Sequence, residues 1–413
     1  MSITLHAEQS EPDPVSQQDD AVIERKACGW ARSVMIIATA VGLMGIGAVM
    51  TFSASARIDA PVGDASIWES RVFRQMIFTA AGLTTMLIVA RIPYRLWTAG
   101  NGLAAALGLL AAVVAASLVF VPGIGVERNE AYRWVRITGD LVFQPSELVK
   151  IMLPIFLAVW MTRGLSGQPE RVADAFRPRH DIRHFTRGFL PAVAAIGLGV
   201  GVVGIEDFGT AALLGAVGGA MLLVGGARIG HLLLLILPAV PAFAYLLFSR
   251  AHRMSRLLTF LDIWEDPAGK GYQAVQSLCT IASGGFYGRG LGRGFVKGYL
   301  PEARTDFIFS VICEELGVIG AVAVIALLMA FLWQCRLIMR DCADPTGKLL
   351  AFGIAMTFGI QAVMNIAVVT VSMPTKGISL PLVSAGGSGV IFLGVLVGVL
   401  ASIPRYGGIV ERS

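Results

Sequence analysis

The stretch YLPEARTDFIFSVICEELGVIGAVAVIALLMAFLW, Tyr299 to Trp333, decides the fold class of this chain. Its first part is polar and closes a long loop with Asp306. From Phe307 onward it is an apolar run of helix length, with Glu314 and Glu315 about two turns inside. Such a run is long enough to cross a ~30 Å hydrocarbon core at 1.5 Å per residue. A charged side chain at the centre of a membrane helix costs roughly 2.5 to 3.5 kcal/mol, so acids at such a border are functional candidates. Membrane borders also carry acids with no task beyond facing water, and both readings stand for Asp306 at this point.

Working outward, the composition agrees with a membrane reading. The chain is 55% hydrophobic and 15% charged, with 48 Gly and a mean hydropathy of +0.71, values that exclude an ordinary soluble domain. Apolar stretches near 34–53, 73–90, 102–121, 146–162, 188–204, 209–226, 229–248, 307–333, 349–372 and 385–403 predict an all-α polytopic protein of about ten transmembrane helices. Residues 34–404 are the membrane domain, 1–33 and 405–413 are terminal tails, and 250–305 form a long loop between the seventh and eighth helices.

Basic residues fix the expected orientation. Arg163, Arg171, Arg177, Arg179, Arg183 and Arg187 crowd one loop, which the positive-inside rule makes cytoplasmic. Both termini then lie in the cytoplasm and 250–305 lies outside. The first 27 residues are polar and acidic without an apolar core, so they read as a disordered cytoplasmic tail.

Several function classes drop out. The five cysteines show no CxxC pair and suggest neither a disulfide frame nor a metal site. No GxxxxGK[ST] occurs, and GRGLGRG at 288–294 has no strand before it, so no nucleotide is expected. A net charge of +5 without grouped aromatics gives no reason to expect nucleic acid.

Polar residues recur where a membrane makes them costly. In GVERNEAYRWVRITGDLVFQPSELVKI, residues 125–151, Glu147 and Lys150 share one helix face. They read either as an anchoring ion pair or, with Arg133 and Arg136, as a site for an anion beside Asp306. Asp207 sits in a tight external turn and reads as a helix cap. Lys376 and the tract Gly386, Gly387, Ser388 fall in PTKGISLPLVSAGGSGV, residues 374–390, which reads as close helix packing or as the lining of a wet cavity. Arg289, Arg293, Lys297 and Arg304, set among glycines, could hold a phosphate or simply be solvated.

Taken together, these segments resemble the SEDS family (shape, elongation, division, sporulation), which includes FtsW, RodA and SpoVE. The matching motifs are AYRW at 131–134, QPSELVK at 144–150, DFGTA at 207–211, YQAVQSL at 272–278, GGFYGRGLG at 284–292, LPEARTDFIFSVICEELG at 300–317 and PTKGISLPLVSAGGSG at 374–389. The VPGIGVERN lead-in, YLPEA and the Lys of PTKG are nearer to the division members than to the elongation members. Arg304 stands where the family usually has His, Glu206 where Pro is common, and Ala385 where Tyr precedes the glycines. A cation at Arg304 would favour the Asp306 carboxylate and weaken it as a base.

The resemblance implies a peptidoglycan glycosyltransferase of the bacterial inner membrane that polymerises lipid II in septal wall synthesis. Asp306 matches the essential Asp and is expected to act as general base on the acceptor 4-hydroxyl. Arg133, Lys150, Lys376 and Arg304 are candidates for the substrate's anionic group, Glu147 for orienting Lys150 or a metal, and Ser388 for substrate contact. Glu314 and Glu315 read as structural. A divalent cation, Mg²⁺ or Mn²⁺, is expected, with no metal ligands assigned. Expected partners are a class B penicillin-binding protein transpeptidase, divisome regulators and membrane lipids. The alternatives are an elongation polymerase and a lipid II transporter, the latter disfavoured by the lack of an internal repeat.

Overall fold

The computed structural model describes residues 14–55, 71–98, 102–128, 131–138, 141–162, 182, 184–248 and 251–407. The first seven apolar stretches are met by helices α1 (Pro14–Ser55), α2 (Arg71–Val89), α3 (Leu103–Ser117), α4 (Ser146–Met161), α5 (Leu190–Gly204), α6 (Phe208–Val224) and α7 (Ile229–Phe248). Two further helices, α8 (Ala251–Leu261) and α9 (Tyr272–Gly284), lie inside the long loop. They are followed by α10 (Ile308–Asp341), α11 (Pro345–Val369) and α12 (Ser388–Tyr406), which meet the last three apolar stretches. Among the described residues, the helical spans Ala27–Ser55, Leu103–Phe120, Phe185–Gly204, Ile308–Asp341, Pro345–Val369 and Ser388–Tyr406 are long and apolar enough to cross a membrane, and α2, α6 and α7 supply shorter apolar segments. The chain is a multi-pass helical membrane protein.

Helix α11 is the axis of the packing, with α10, α6 and α4 against it. Its faces are buried along most of its length, as expected of a helix apolar all round. Helix α12 packs on α2 and α1, and the seam with α2 is made by small residues. A Cβ at Gly394 would come within 2.5 Å of the Gly82 carbonyl, so the two backbones meet at a distance only glycine allows.

Two features depart from the sequence reading. Between α3 and α4 the chain forms an antiparallel meander, β1 (Gly125–Arg128), β2 (Ala131–Thr138) and β3 (Leu141–Phe143), with Val135 opposite both Gly125 and Phe143. The alternation of AYRWVRIT and its aromatic and β-branched residues are strand signals. At the other end of the chain, the tail expected to be disordered is helical from Pro14. Proline suits a first helical position and the QQDDAVIERKA that follows is rich in helix formers. The basic residues Arg163, Arg171, Arg177, Arg179 and Arg183 lie outside the described residues, as do 1–13 and 408–413.

Helix α10 is broken inside the membrane border. Gly317 has φ 66° and ψ −162°, a conformation that requires glycine. The carbonyls this break frees are taken up by the glycine-rich segment before it: Arg289 N–H donates to Glu314 O and Gly290 N–H to Glu315 O, both at 2.9 Å. In return, Val318 N–H donates to Gly285 O at 3.2 Å. The run that resembled a nucleotide fingerprint is thus a splice that completes a broken helix.

Candidate active site

Asp306 sits in the turn between the long loop and α10, partly buried. Glu302 begins that turn in the left-handed region, at φ 54°, and its carbonyl accepts from Thr305 and Phe307 N–H. Strained backbone of this kind persists only where the surroundings hold it. Here Ser384 Oγ donates to Thr305 O at 2.6 Å, Ala385 N–H donates to Arg304 O at 2.9 Å, and Asn365 Nδ2 donates to both Asp306 O and Ile378 O at 2.7 Å. Fully buried on α11, Asn365 ties the Asp306 turn to the 374–390 segment. The Asp306 carboxylate itself receives no hydrogen bond among the described residues. Burial, then the Glu302 carboxylate, pushes its pKa up to about 7 against the pull of Arg133 and Arg256. Burial outweighs the cations at Arg133 and Arg256 in setting the direction of this shift.

Asp306 opens on a cavity of about 410 Å³ that also reaches Arg133, Glu147, Lys150, Gln361 and Ser388. Glu147 and Lys150, one turn apart on α4, form an ion pair at 2.6 Å and are both buried. Arg133 is carried inward by β2 and its Nε donates to Glu206 O at 3.1 Å, while Tyr132 N–H donates to the Glu206 carboxylate. Arg136, exposed on the same strand, is not part of the lining. Gly377 lies between the two chemistries. A Cβ there would stand 3.1 Å from the Asp306 carboxylate and 3.4 Å from the Arg133 guanidinium.

Behind Gly377 is a second cluster, in which Lys376, Arg133, Arg253 and Arg256 surround Asp207. Lys376 lies over the Phe208 ring at 4.2 Å and is absent from the main cavity's lining. Burial and repulsion from Arg256 and Arg253 lower its pKa to about 8. Asp207 caps α6 through Thr210 N–H at 3.1 Å, and it also accepts from the Thr210 hydroxyl and from Gln144 Nε2. Burial opposes its charge, yet Arg133 and the Thr210 donors hold its pKa below the usual carboxylate range. Arg304 is half-buried and, like Lys376, is not among the residues lining the main cavity.

The other acids form a closed knot. Glu314 and Glu315 are fully buried. Glu314 accepts from Val296 N–H at 2.8 Å and Lys297 N–H at 3.0 Å. Glu315 takes the Lys297 ammonium and the Ser53 hydroxyl, and Lys297 Nζ also donates to Ser53 O at 2.7 Å. Lys297 is therefore spent inside the protein, which corrects both readings of it, as a phosphate ligand and as a solvated loop residue. The residues the sequence reading missed are Asn365, Gln361, Ser384, Arg253 and Arg256. A polar Gln361 and Asn365 at i, i+4 in an apolar helix were the available signal.

Metal ligands do not converge. Among the described residues no group of three His, Cys, Asp or Glu side chains comes together, so this donor set does not fit a resident divalent ion held by protein alone.

The profile of the FtsW, RodA and SpoVE family, described as cell cycle protein, matches residues 33–407. A relative from Geobacter sp. (strain M18) named "Probable peptidoglycan glycosyltransferase FtsW" is 36% identical over 90% of this chain and 96% of its own length. The stage V sporulation protein E of Bacillus subtilis (strain 168) is 34% identical over 88% and 94%. Among solved structures, a chain from a peptidoglycan synthase complex, studied for how polymerization and crosslinking are coordinated, superposes with a TM-score of 0.67 at 26% identity, covering 91% of this chain and 97% of that one. The rod shape determining protein RodA of Thermus thermophilus has a TM-score of 0.60 at 24% identity and shares the fold, over 90% and 96% of the two chains.

Proposed function

Because the chain belongs to the FtsW, RodA and SpoVE family of cell cycle proteins, we propose that it is a peptidoglycan glycosyltransferase that polymerises lipid II in septal wall synthesis. The observation that carries the mechanism is an Asp306 carboxylate of raised pKa, free of hydrogen bonds among the described residues, opening on a cavity lined by Arg133 and Lys150. A general base works best with a pKa near the working pH. Asp306 takes the proton from the acceptor 4-hydroxyl as that oxygen attacks the donor's anomeric carbon. The polyprenyl pyrophosphate leaves with the bonding electrons, and the α-linked donor becomes a β-linked strand.

Charge building on the departing pyrophosphate needs fixed cations. Arg133 and Lys150 meet that need at the cavity wall, and Glu147 orients Lys150. Lys376 and Arg256 act from behind Gly377 by their field. A divalent cation, Mg²⁺ or Mn²⁺, would supply further positive charge for the leaving pyrophosphate, and among the described residues no three His, Cys, Asp or Glu side chains converge to hold it. The enzyme works at the external face of the inner membrane, at the division septum, with both termini cytoplasmic. A penicillin-binding transpeptidase crosslinks its product, and division regulators dock on its outer surfaces.

The test is polymerisation of labelled lipid II by the purified protein with its transpeptidase partner, wild type against Asp306→Asn at matched folding. Long strands from the wild type and none from the variant support the reading. Equal strand synthesis by both removes Asp306 from the mechanism, and lipid II transport without strands from either hands the chain to the transporter class.

A further inference from the structure

The cavity is lined by neutral polar side chains as well as charged ones. Gln361, on α11, is 1% exposed and contributes to its lining. Its Nε2 donates to the Ser379 carbonyl at 2.9 Å and reaches the Ser379 hydroxyl at 3.3 Å. A backbone carbonyl only accepts, so this contact fixes which end of the carboxamide meets residue 379. Oε1 is left buried without a hydrogen-bond partner among the described residues, and so is Oγ of Ser388, which lines the same cavity. Asn365, one turn further along α11, is held the same way by two carbonyls and also has a bare Oδ1, but it lies off the cavity. Buried polar atoms without partners are few in native proteins, and each calls for a cause.

Two such atoms on residues that line one cavity combine a carboxamide acceptor with a hydroxyl that both donates and accepts, and neither carries charge. We infer that Gln361 and Ser388 give this cavity neutral contacts for hydrogen-bond-donating groups of the donor sugar, an acetamido N–H or a ring hydroxyl, while Arg133 and Lys150 receive the pyrophosphate. The inference rests on the glycosyltransferase reading of the same cavity. Gln361 accepts the sugar's proton in a hydrogen bond, and Ser388 completes the contact as donor or acceptor. The subsite binds substrate and takes no part in proton transfer, so it sets affinity more than turnover.

Equilibrium binding of lipid II to the full-length Asp306→Asn protein in nanodiscs reads the subsite without turnover. Gln361→Met and Ser388→Ala, each added to that background, are expected to weaken binding about tenfold and severalfold, the scale of one hydrogen bond. A lipid II analogue with an N-methylated acetamido group should lose about tenfold on the Asp306→Asn protein and nothing further once Gln361→Met is present. If a deoxy-sugar analogue shows that pattern instead, the group gripped is a hydroxyl. Ser388→Ala removes one oxygen and guards against a Gln361→Met protein that fails to fold. Unchanged lipid II affinity in both variants would mean that the substrate does not engage these atoms, and the subsite falls while strand synthesis by the wild type keeps the enzyme reading. Weakened binding beside a wild type that makes no strands would keep the subsite and overturn the reaction.

Discussion

Eight positions separate Asp306 from Glu314, and the two acids live in opposite chemical worlds. Glu314 and Glu315 are sealed, and hydrogen bonds from two backbone amides, an ammonium and a hydroxyl meet their carboxylates. Asp306 is only partly buried, receives no hydrogen bond on its carboxylate among the described residues, and looks onto open volume beside Arg133. A buried charge that is fully partnered holds a structure together, whereas one left unpartnered at a cavity retains its capacity to react. The splice around Gly317 and the Lys297 network stabilise the frame. The turn at Glu302 holds Asp306 away from such partners.

The largest effect expected from breaking this contrast is at Asp306. Asp306→Asn should lower strand synthesis by about a thousandfold or more, within the range for loss of a general base, with no loss of thermal stability. A variant retaining a tenth of the activity would erase the distinction. On the other side, Lys297→Met leaves Glu315 buried and unpaired, which should cost about 3 kcal/mol or more of stability. Thermal unfolding in detergent measures it, and activity per folded molecule should stay near wild type. Adding Glu315→Leu should recover much of the loss, because a pair of apolar residues needs no partner.

Smaller effects sharpen the comparison. Arg133→Gln should reduce strand synthesis about a hundredfold, the scale for one fixed donor to a developing anion, and binding of lipid II less. The pH profile of kcat/KM should rise through about 7, because the raised pKa keeps Asp306 protonated and inactive below that value. The linked stability runs the other way. A carboxylate whose folded pKa lies above its unfolded one favours the fold while protonated, so its contribution is full below about 4 and fades as pH rises through about 7. Asp306→Asn should remove that slope. Asn365→Ala should cost a few-fold to tenfold in kcat and shift the pH profile, since it releases the backbone behind Asp306.

Much of this was legible in the sequence. The apolar runs predicted the helices because membrane-spanning length leaves a strong signature, and Asp306 stands out because an acid at a membrane border has to be explained. The meander between α3 and α4 was missed since three- to eight-residue strands next to such helices give a faint signal. Lys297 misled for a different reason. A lysine among glycines reads as solvated, and only the fold reveals that α1 passes close enough for Ser53 to share it. Arg253 and Arg256 were invisible as site residues because their role depends on α8 folding back over the turn at Gly204 and Ile205 and the segment at Thr375. The Gln361 and Asn365 pair was visible in the sequence and went unread, although their spacing alone puts both amides on one helix face.

The splice at Gly317 has a consequence for how this protein can evolve. Two amides, at Arg289 and Gly290, must meet two successive carbonyls at Glu314 and Glu315, while Val318 reaches back to Gly285. One residue inserted or deleted between 285 and 290 would throw both ends out of phase at once. That short stretch should therefore tolerate substitutions at its exposed side chains far better than any change of length.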